Sequence, residues 1–325
     1  MKARQLGKPR AAVWLTALAG ALVLSGCGGP PAEQNYPTRD VQLIVPYPAG
    51  SAIDTTARAL ADVINKQGAF GKRIQVVNRA GGAGSVGTTA ALNAKPTGYT
   101  IGLVPDGPLT LIPQTEKVPY DAKAATVLSE VTTSPVMFVV PGDSPYKNLG
   151  DLIEAAKKRP GSITLGNGPL NYTIPSKKFE QLTGTEFKHV KFDGDQATTT
   201  ALLGGNVDVG VMQLAGGMAQ MRSGKLRALA IATPERVDLA PGVPTFTEQN
   251  VKLEWQAYNV VVAPKGLPGK AEEKLSATLT SAVKSPEFAQ TAKKLGLLVS
   301  GADGKTARTR LDEKTGAAAD LLPLK

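Results

Sequence analysis

The sequence predicts an α/β protein built as two lobes. Strand-like and helix-like segments alternate along most of the chain, the pattern of an α/β fold. They form two βα series of similar size. Extended apolar runs near 131–140 and 255–263 join the two series, so the chain is expected to cross between lobes twice. The expected division is 36–134 with 256–325 in one lobe and 135–255 in the other. Such a molecule can close like a hinge on a ligand in its cleft. A single large doubly wound sheet is the alternative.

The elements follow in order. Val41–Val45 is a short β-rich run. After a Pro/Gly loop, a helix is expected over Thr55–Lys66. Ala57, Leu60, Ala61 and Ile64 give it one apolar face, and Asp54 is its expected N-cap. Ile74–Val77 is the second strand. The glycine loop Gly81–Gly87 precedes a helix over Thr88–Lys95, and Tyr99–Val104 is the third strand. This βαβαβ run calls for a parallel sheet with right-handed crossovers. In the second series, strands are expected at 136–140, 163–165, 187–190, 207–211 and 226–233. Helices are expected at 149–158, 176–183, 198–203 and 218–223. The chain returns through a strand at 255–263. Helices at 271–284 and 286–295 follow, with a last one after Asp303.

A chain of 325 residues, 42% hydrophobic and 20% charged, has ample material for such a core and is not a disordered tail. Aromatic residues at 5% count against a single-strand-binding groove. One Cys and one His exclude a zinc cluster and a disulfide framework. Lys2, Arg4, Lys8 and Arg10 precede the apolar run 11–24, which ends in Leu24-Ser25-Gly26-Cys27. This is the order of an export signal, and the ending resembles a bacterial lipobox. Residues 1–26 are expected to be removed, Cys27 lipidated, and 27–35 to form a tether of about 30 Å at ~3.3 Å per residue. An ordinary signal peptide is the alternative. Loss of residues 1–26 takes away four basic and no acidic residues, so the net charge falls from +10 to +6. No Lys/Arg run tracks a phosphate backbone, and nucleic acid is not an expected partner.

Two strand-to-helix loops are candidates for ligand binding. In the first, Pro46 to Asp54, the amides of Ala49, Gly50 and Ser51 lie before a helix start, where backbone N–H groups suit a carboxylate. Tyr47 could wall the site and donate through its hydroxyl. The second runs Gly166-Asn167-Gly168-Pro169-Leu170-Asn171-Tyr172-Thr173, again without a basic residue. If the two loops face each other, their amides would clamp one ligand. Either could be an ordinary turn. Gly82, Gly84 and Gly87 satisfy G-x-G-x-x-G, and Asp106 lies about where a ribose-binding acid would, but the pattern is short and also fits a tight loop at a helix start. For catalysis there is no G-x-S-x-G elbow. His189 reads as structural, and Asp193, Asp195 and Asp208 read as turn carboxylates rather than a metal site.

The motifs taken together resemble a family. They are Tyr36-Pro37-Thr38-Arg39, Ile44-Val45-Pro46-Tyr47-Pro48-Ala49-Gly50 to Asp54, and Val77-Asn78-Arg79-Ala80-Gly81-Gly82-Ala83-Gly84-Ser85-Val86-Gly87. Pro96-Thr97-Gly98-Tyr99-Thr100, Leu202-Leu203-Gly204-Gly205-Asn206-Val207-Asp208, Ala240-Pro241-Gly242-Val243-Pro244-Thr245 and Val262-Ala263-Pro264-Lys265-Gly266 continue the series in order. This resembles the substrate-binding receptors of tripartite tricarboxylate transporters, the Bug family, from Tyr36 to about Leu297. The resemblance implies a two-lobed, periplasmic-binding-protein-like (type II, Venus-flytrap) fold. It also implies a small carboxylate held between two strand-to-helix loops and delivered to a membrane permease. The glycine pattern then becomes a family feature rather than a dinucleotide site.

The sequence departs from the family where Ser51, Ala52 and Ile53 stand in the first loop, where Thr173 replaces a common His, and where Met212 replaces an Asp. These changes predict a more apolar or smaller pocket. The expected ligand-binding set is Tyr47, Ala49, Gly50, Ser51, Ile53, Asp54, Asp106, Gly166, Asn167, Gly168, Thr173 and Met212. The expectation is a monomeric, lipid-anchored, extracytoplasmic receptor for a small organic acid, with no cofactor, no metal and no catalytic step. A sensor feeding a membrane kinase and a dinucleotide-dependent enzyme are the alternatives.

Overall fold

The computed structural model describes residues 35–322, so the apolar run and Cys27 lie outside the described residues. The first half begins β1 (Val41–Val45), α1 (Ala52–Gln67), β2 (Ile74–Asn78), α2 (Ser85–Leu92) and β3 (Thr100–Pro105). Two short helices follow, α3 (Gly107–Thr110) and α4 (Ile112–Thr115), then the long strand β4 (Thr126–Pro141). Next come α5 (Leu149–Lys158), β5 (Thr164–Asn167), α6 (Leu170–Thr183), β6 (Lys188–Lys191), α7 (Asp195–Leu203), β7 (Val209–Gln213), α8 (Leu214–Arg222) and β8 (Leu226–Ile231). The chain returns through β9 (Gln256–Ala263) to α9 (Gly269–Val283), α10 (Pro286–Lys294), β10 (Leu298–Val299) and α11 (Gly304–Ala319).

The strands form one mixed sheet in the order β2-β1-β3-β9-β4-β7-β5-β6, with β8 and β10 also paired to β4. β1 is parallel to both β2 and β3, as the βαβαβ pattern requires. β9 and β4 are antiparallel insertions in an otherwise largely parallel arrangement. β4 serves both halves. Residues 126–135 pair with β9, and residues 136–141 pair with β7 and β8. Pro135 stands at the changeover. It has no N–H to donate, and the next residue, Val136, resumes bonding by donating to the Trp255 carbonyl at 3.1 Å.

Period-two alternation sorts the core to the two faces of each half-sheet. In the first half, Leu43, Leu60, Ile101 and Leu275 pack on one face, and Val104, Tyr120, Val262 and Leu311 on the other. In the second half, Phe138, Phe179 and Phe246 form a mutually edge-on trio with centroids 4.9–5.9 Å apart. Met137, Leu202, Met212 and Met218 fill the opposite face.

Several boundaries differ from expectation for identifiable reasons. Ser51, not Asp54, caps α1. Its backbone is extended, its hydroxyl accepts from the Asp54 N–H, and the helix begins at Ala52. α6 starts at Leu170 rather than at Ser176. Pro175 sits inside the helix and forgoes only one intrahelical bond. β4 extends ten residues upstream of the apolar run because several of its polar residues are buried and partnered. Asn259 donates to the Thr132 hydroxyl, and Arg310 reaches Glu130 at 2.6 Å.

Candidate functional site

The strand-to-helix turns of both halves open onto one cavity of about 720 Å³, within the usual range for a small-molecule site. Tyr47 and Ala83 enter from the turns after β1 and β2. Pro105, Pro108, Leu111 and Ile112 form a wall along the β3–α4 segment. The opposite wall is the β5–α6 turn, with Asn167, Gly168, Leu170, Asn171 and Thr173, and the end of β6, with His189, Lys191 and Phe192.

The turns take these positions for local reasons. A Cβ on Gly87 would lie 2.5 Å from Pro46 Cα and 2.6 Å from the Arg79 carbonyl oxygen. Only glycine lets the β1 and β2 turns meet there. The Tyr47 hydroxyl then donates to the Ala83 carbonyl at 3.0 Å. A Cβ on Gly168 would lie 2.9 Å from the Tyr172 ring and 3.1 Å from the Phe192 carbonyl, so this turn also needs glycine. A Cβ on Gly107 would lie 4.0 Å from Asn171 Nδ2, which puts the β3–α3 turn and the start of α6 face to face.

The start of α6 brings unpartnered donors to the cavity. Pro169 occupies the N-cap and offers no side-chain bond. The Tyr172 and Thr173 amides donate to the Pro169 carbonyl, while those of Gly168, Leu170 and Asn171 have no partner within the chain. Asn171 Oδ1 is buried and also unpartnered. Uncapped N–H groups at the positive end of a helix suit an anion.

Two basic side chains of the cavity, Lys177 and His189, share one carboxylate, Glu180. Glu180 accepts from Lys177 at 2.9 Å and from His189 Nε2 at 3.0 Å. Burial pushes the Glu180 carboxyl up, but the bonds from His189, Lys177 and the Phe187 N–H outweigh it and hold it below the usual value. The other His189 ring nitrogen, Nδ1, accepts from Asn167 Nδ2 at 2.8 Å, as the amide and tautomer are assigned. Behind the cavity, burial lifts the Asp195 carboxyl to about 6 against the lowering effect of bonds from the Tyr172 hydroxyl and the Gln213 N–H.

Of the residues expected from the sequence, Tyr47, Asn167, Gly168 and Thr173 line the cavity, and the Thr173 hydroxyl donates to the Gly168 carbonyl. Others are engaged elsewhere. Gly50 N–H donates to Asp54 Oδ2 at 2.8 Å and Ser51 N–H to the Pro48 carbonyl, so of Ala49, Gly50 and Ser51 only Ala49 keeps a free amide. Asp54 is 2% exposed and also holds Arg58 and Asn78. Burial raises its carboxyl, but these partners together bring it below the usual value. Ile53 packs in the core of the first half and Met212 in that of the second, and Gly166 lies within the β5 ladder. Asp106 is fully buried and ion-paired with Lys314, so it can reach neither a ribose nor a ligand in the cavity. Ile53, Asp54, Asp106, Gly166 and Met212 are therefore corrected from ligand contacts to structural residues.

His189, Lys191 and the 105–116 wall were missed. The i, i+2 spacing of His189 and Lys191 on one strand face was a usable signal. Among the described residues there is no cluster of His, Cys, Asp and Glu able to hold a metal, and no helix long and apolar enough to cross a membrane.

A mixed sheet whose turns from both halves converge on a ligand-sized hollow is the architecture of a solute-binding protein. The profile of the family described as "Tripartite tricarboxylate transporter family receptor" matches residues 56–315, and the chain belongs to that family. It is a solute receptor serving a transporter. BugT of Bordetella pertussis is 31% identical over 276 residues, covering 81% of this chain and 82% of that one. A TctC solute binding protein from Polaromonas, solved with no ligand, superimposes with a TM-score of 0.81 at 26% identity, over 89% of this chain and 99% of its own. MatC from Rhodopseudomonas palustris, solved with bound malate, shares the fold at 23% identity. Its TM-score is 0.71, over 88% of this chain and 99% of its own.

Proposed function

We propose that the chain is an extracytoplasmic receptor that closes on a small organic acid and delivers it to the membrane permease of a tripartite tricarboxylate-type transporter. The observation that carries this is the set of unpartnered amides at the uncapped start of α6, on Gly168, Leu170 and Asn171, which line the cavity. They offer a carboxylate several fixed donors at once. Malate in MatC supports a carboxylate as the ligand class. The two lobes are residues 36–134 with 256–325 and residues 135–255. The partner change at Pro135 in β4 and the return at Trp255 support a hinge there. Acid in the cleft favours the closed form because only that form contacts it from both sides. Lipidation of Cys27 holds the protein at a membrane surface.

No chemical step occurs in the cavity. The Thr173 hydroxyl is committed to the Gly168 carbonyl, and both nitrogens of His189 are engaged, so no activated nucleophile stands there. A thermal-shift screen of mono- and dicarboxylates against neutral solutes tests the assignment. A cognate acid at a hundredfold its Kd stabilises the protein by about 2.7 kcal/mol and is recovered unchanged. Shifts with neutral solutes alone, or turnover of the acid, would contradict it.

A further inference from the structure

The cavity combines uncommitted charges that sum to −1, from Lys191, Glu116 and Asp193, with a long apolar wall. Pro105, Pro108, Leu111 and Ile112 on one side face Leu170 and Phe192 on the other. Two of the basic groups among them are spent. Lys177 is paired with Glu180, and His189 is bonded through both ring nitrogens. Lys191 is the only basic side chain on the wall without a carboxylate partner among the described residues, and it shares the cavity with Glu116 and Asp193. A second or third carboxylate would give up its hydration here and meet one free cation, Lys191, against two free carboxylates, Glu116 and Asp193.

We infer that the receptor selects a singly charged acid with an apolar body, its carboxylate at the start of α6 and its hydrocarbon portion against the Pro105–Ile112 wall. This rests on the receptor reading above and narrows its substrate class. The apolar character does not come from Ile53 or Met212, which are withdrawn into cores, nor is the cavity small. Selectivity instead comes from shape and desolvation. Each methylene laid on the wall is removed from water, and a distal charge placed on the same wall loses its solvent.

Ile112 is the specificity-determining position to test, because it lines the cavity yet is only half-buried, on the four-residue helix α4. Calorimetric titration of the purified full-length protein with butyrate, pentanoate, hexanoate, benzoate and adipate tests the inference. Affinity is expected to rise about fourfold per added methylene from butyrate to hexanoate, from ~0.8 kcal/mol per buried CH₂. Benzoate should bind comparably to hexanoate. Adipate, in which a second carboxylate replaces the terminal methyl of hexanoate, should bind at least roughly tenfold more weakly. Ile112→Asn should weaken hexanoate more than butyrate, and Ile112→Val should leave both near the parent values. Adipate binding as tightly as hexanoate, or a flat series from butyrate to hexanoate, would overturn the inference and leave the carboxylate receptor standing. Absence of binding by every acid would overturn both.

Discussion

Replacing Lys314 by Met is expected to lower the unfolding free energy by about 3–5 kcal/mol, the usual cost of stripping the partner from a buried ion. Lys314 on α11 is 6% exposed and its partner Asp106 is fully buried. The Lys314 ammonium also donates to the Gln256 carbonyl and lies over the rings of Trp255, at 4.6 Å from the centroid, and Tyr258, at 5.3 Å. Burial pulls the ammonium below its usual pKa, and the Asp106 carboxylate opposes that. With the ammonium gone, Asp106 keeps one neutral donor, the Tyr258 N–H at 3.1 Å, and no counter-charge.

The consequences reach the cavity because Asp106 lies between Pro105 and Gly107, which both line it. The Asp106 carbonyl accepts from the Leu109 and Thr110 amides, and Gln114 of α4 donates to the Thr315 carbonyl of α11. The double variant Asp106→Asn/Lys314→Met removes both charges together and should recover most of the loss. Urea unfolding of both variants and the parent measures this. A single variant within about 1 kcal/mol of the parent would show that the pair contributes little.

Gly87→Ala is the second large effect. The added carbon meets backbone on both sides, Pro46 Cα and the Arg79 carbonyl, so no side-chain rotation relieves it. Overpacking costs roughly 1–3 kcal/mol, and a contact between main chains belongs at the upper end. The β1 and β2 turns must separate, which shifts Tyr47 and Ala83 and should weaken acid binding about tenfold, or ~1.4 kcal/mol. Gly316→Ala in α11 is the control. Its new carbon meets nothing within 4 Å, and the helix should gain about 0.5–1 kcal/mol. Equal stability of Gly87→Ala and the parent would mean that the turns are free to part.

What could be read from the sequence follows from where local pattern agrees with tertiary context. β1, β2 and α5 carry their signal locally. α5 also has an Asn148–Asp151 capping box at its start and occupies the expected residues 149–158. β4 does not, because Ser129, Glu130 and Thr132 are buried polar residues whose partners, among them Ala302, Arg310 and Asn259, lie more than a hundred residues away. That Gly168 and Thr173 line the cavity is legible because a glycine turn before a helix advertises itself. The 105–116 wall was missed because α3 and α4 are four residues each, too short to show a helical period. Asp54 and Met212 enter the expected set through the family resemblance, and Asp106 through its place along the chain. Position along the chain does not reveal that Arg58, Lys314 or a sheet core has already claimed the side chain.

The most direct test is a crystal structure of the protein grown with hexanoate or benzoate. The carboxylate should lie within about 3.2 Å of the Gly168, Leu170 or Asn171 nitrogens, with the hydrocarbon against Pro108, Leu111 and Ile112. A ligand whose carboxylate points instead to solvent or to Lys191, with those amides still unpartnered, would contradict the account.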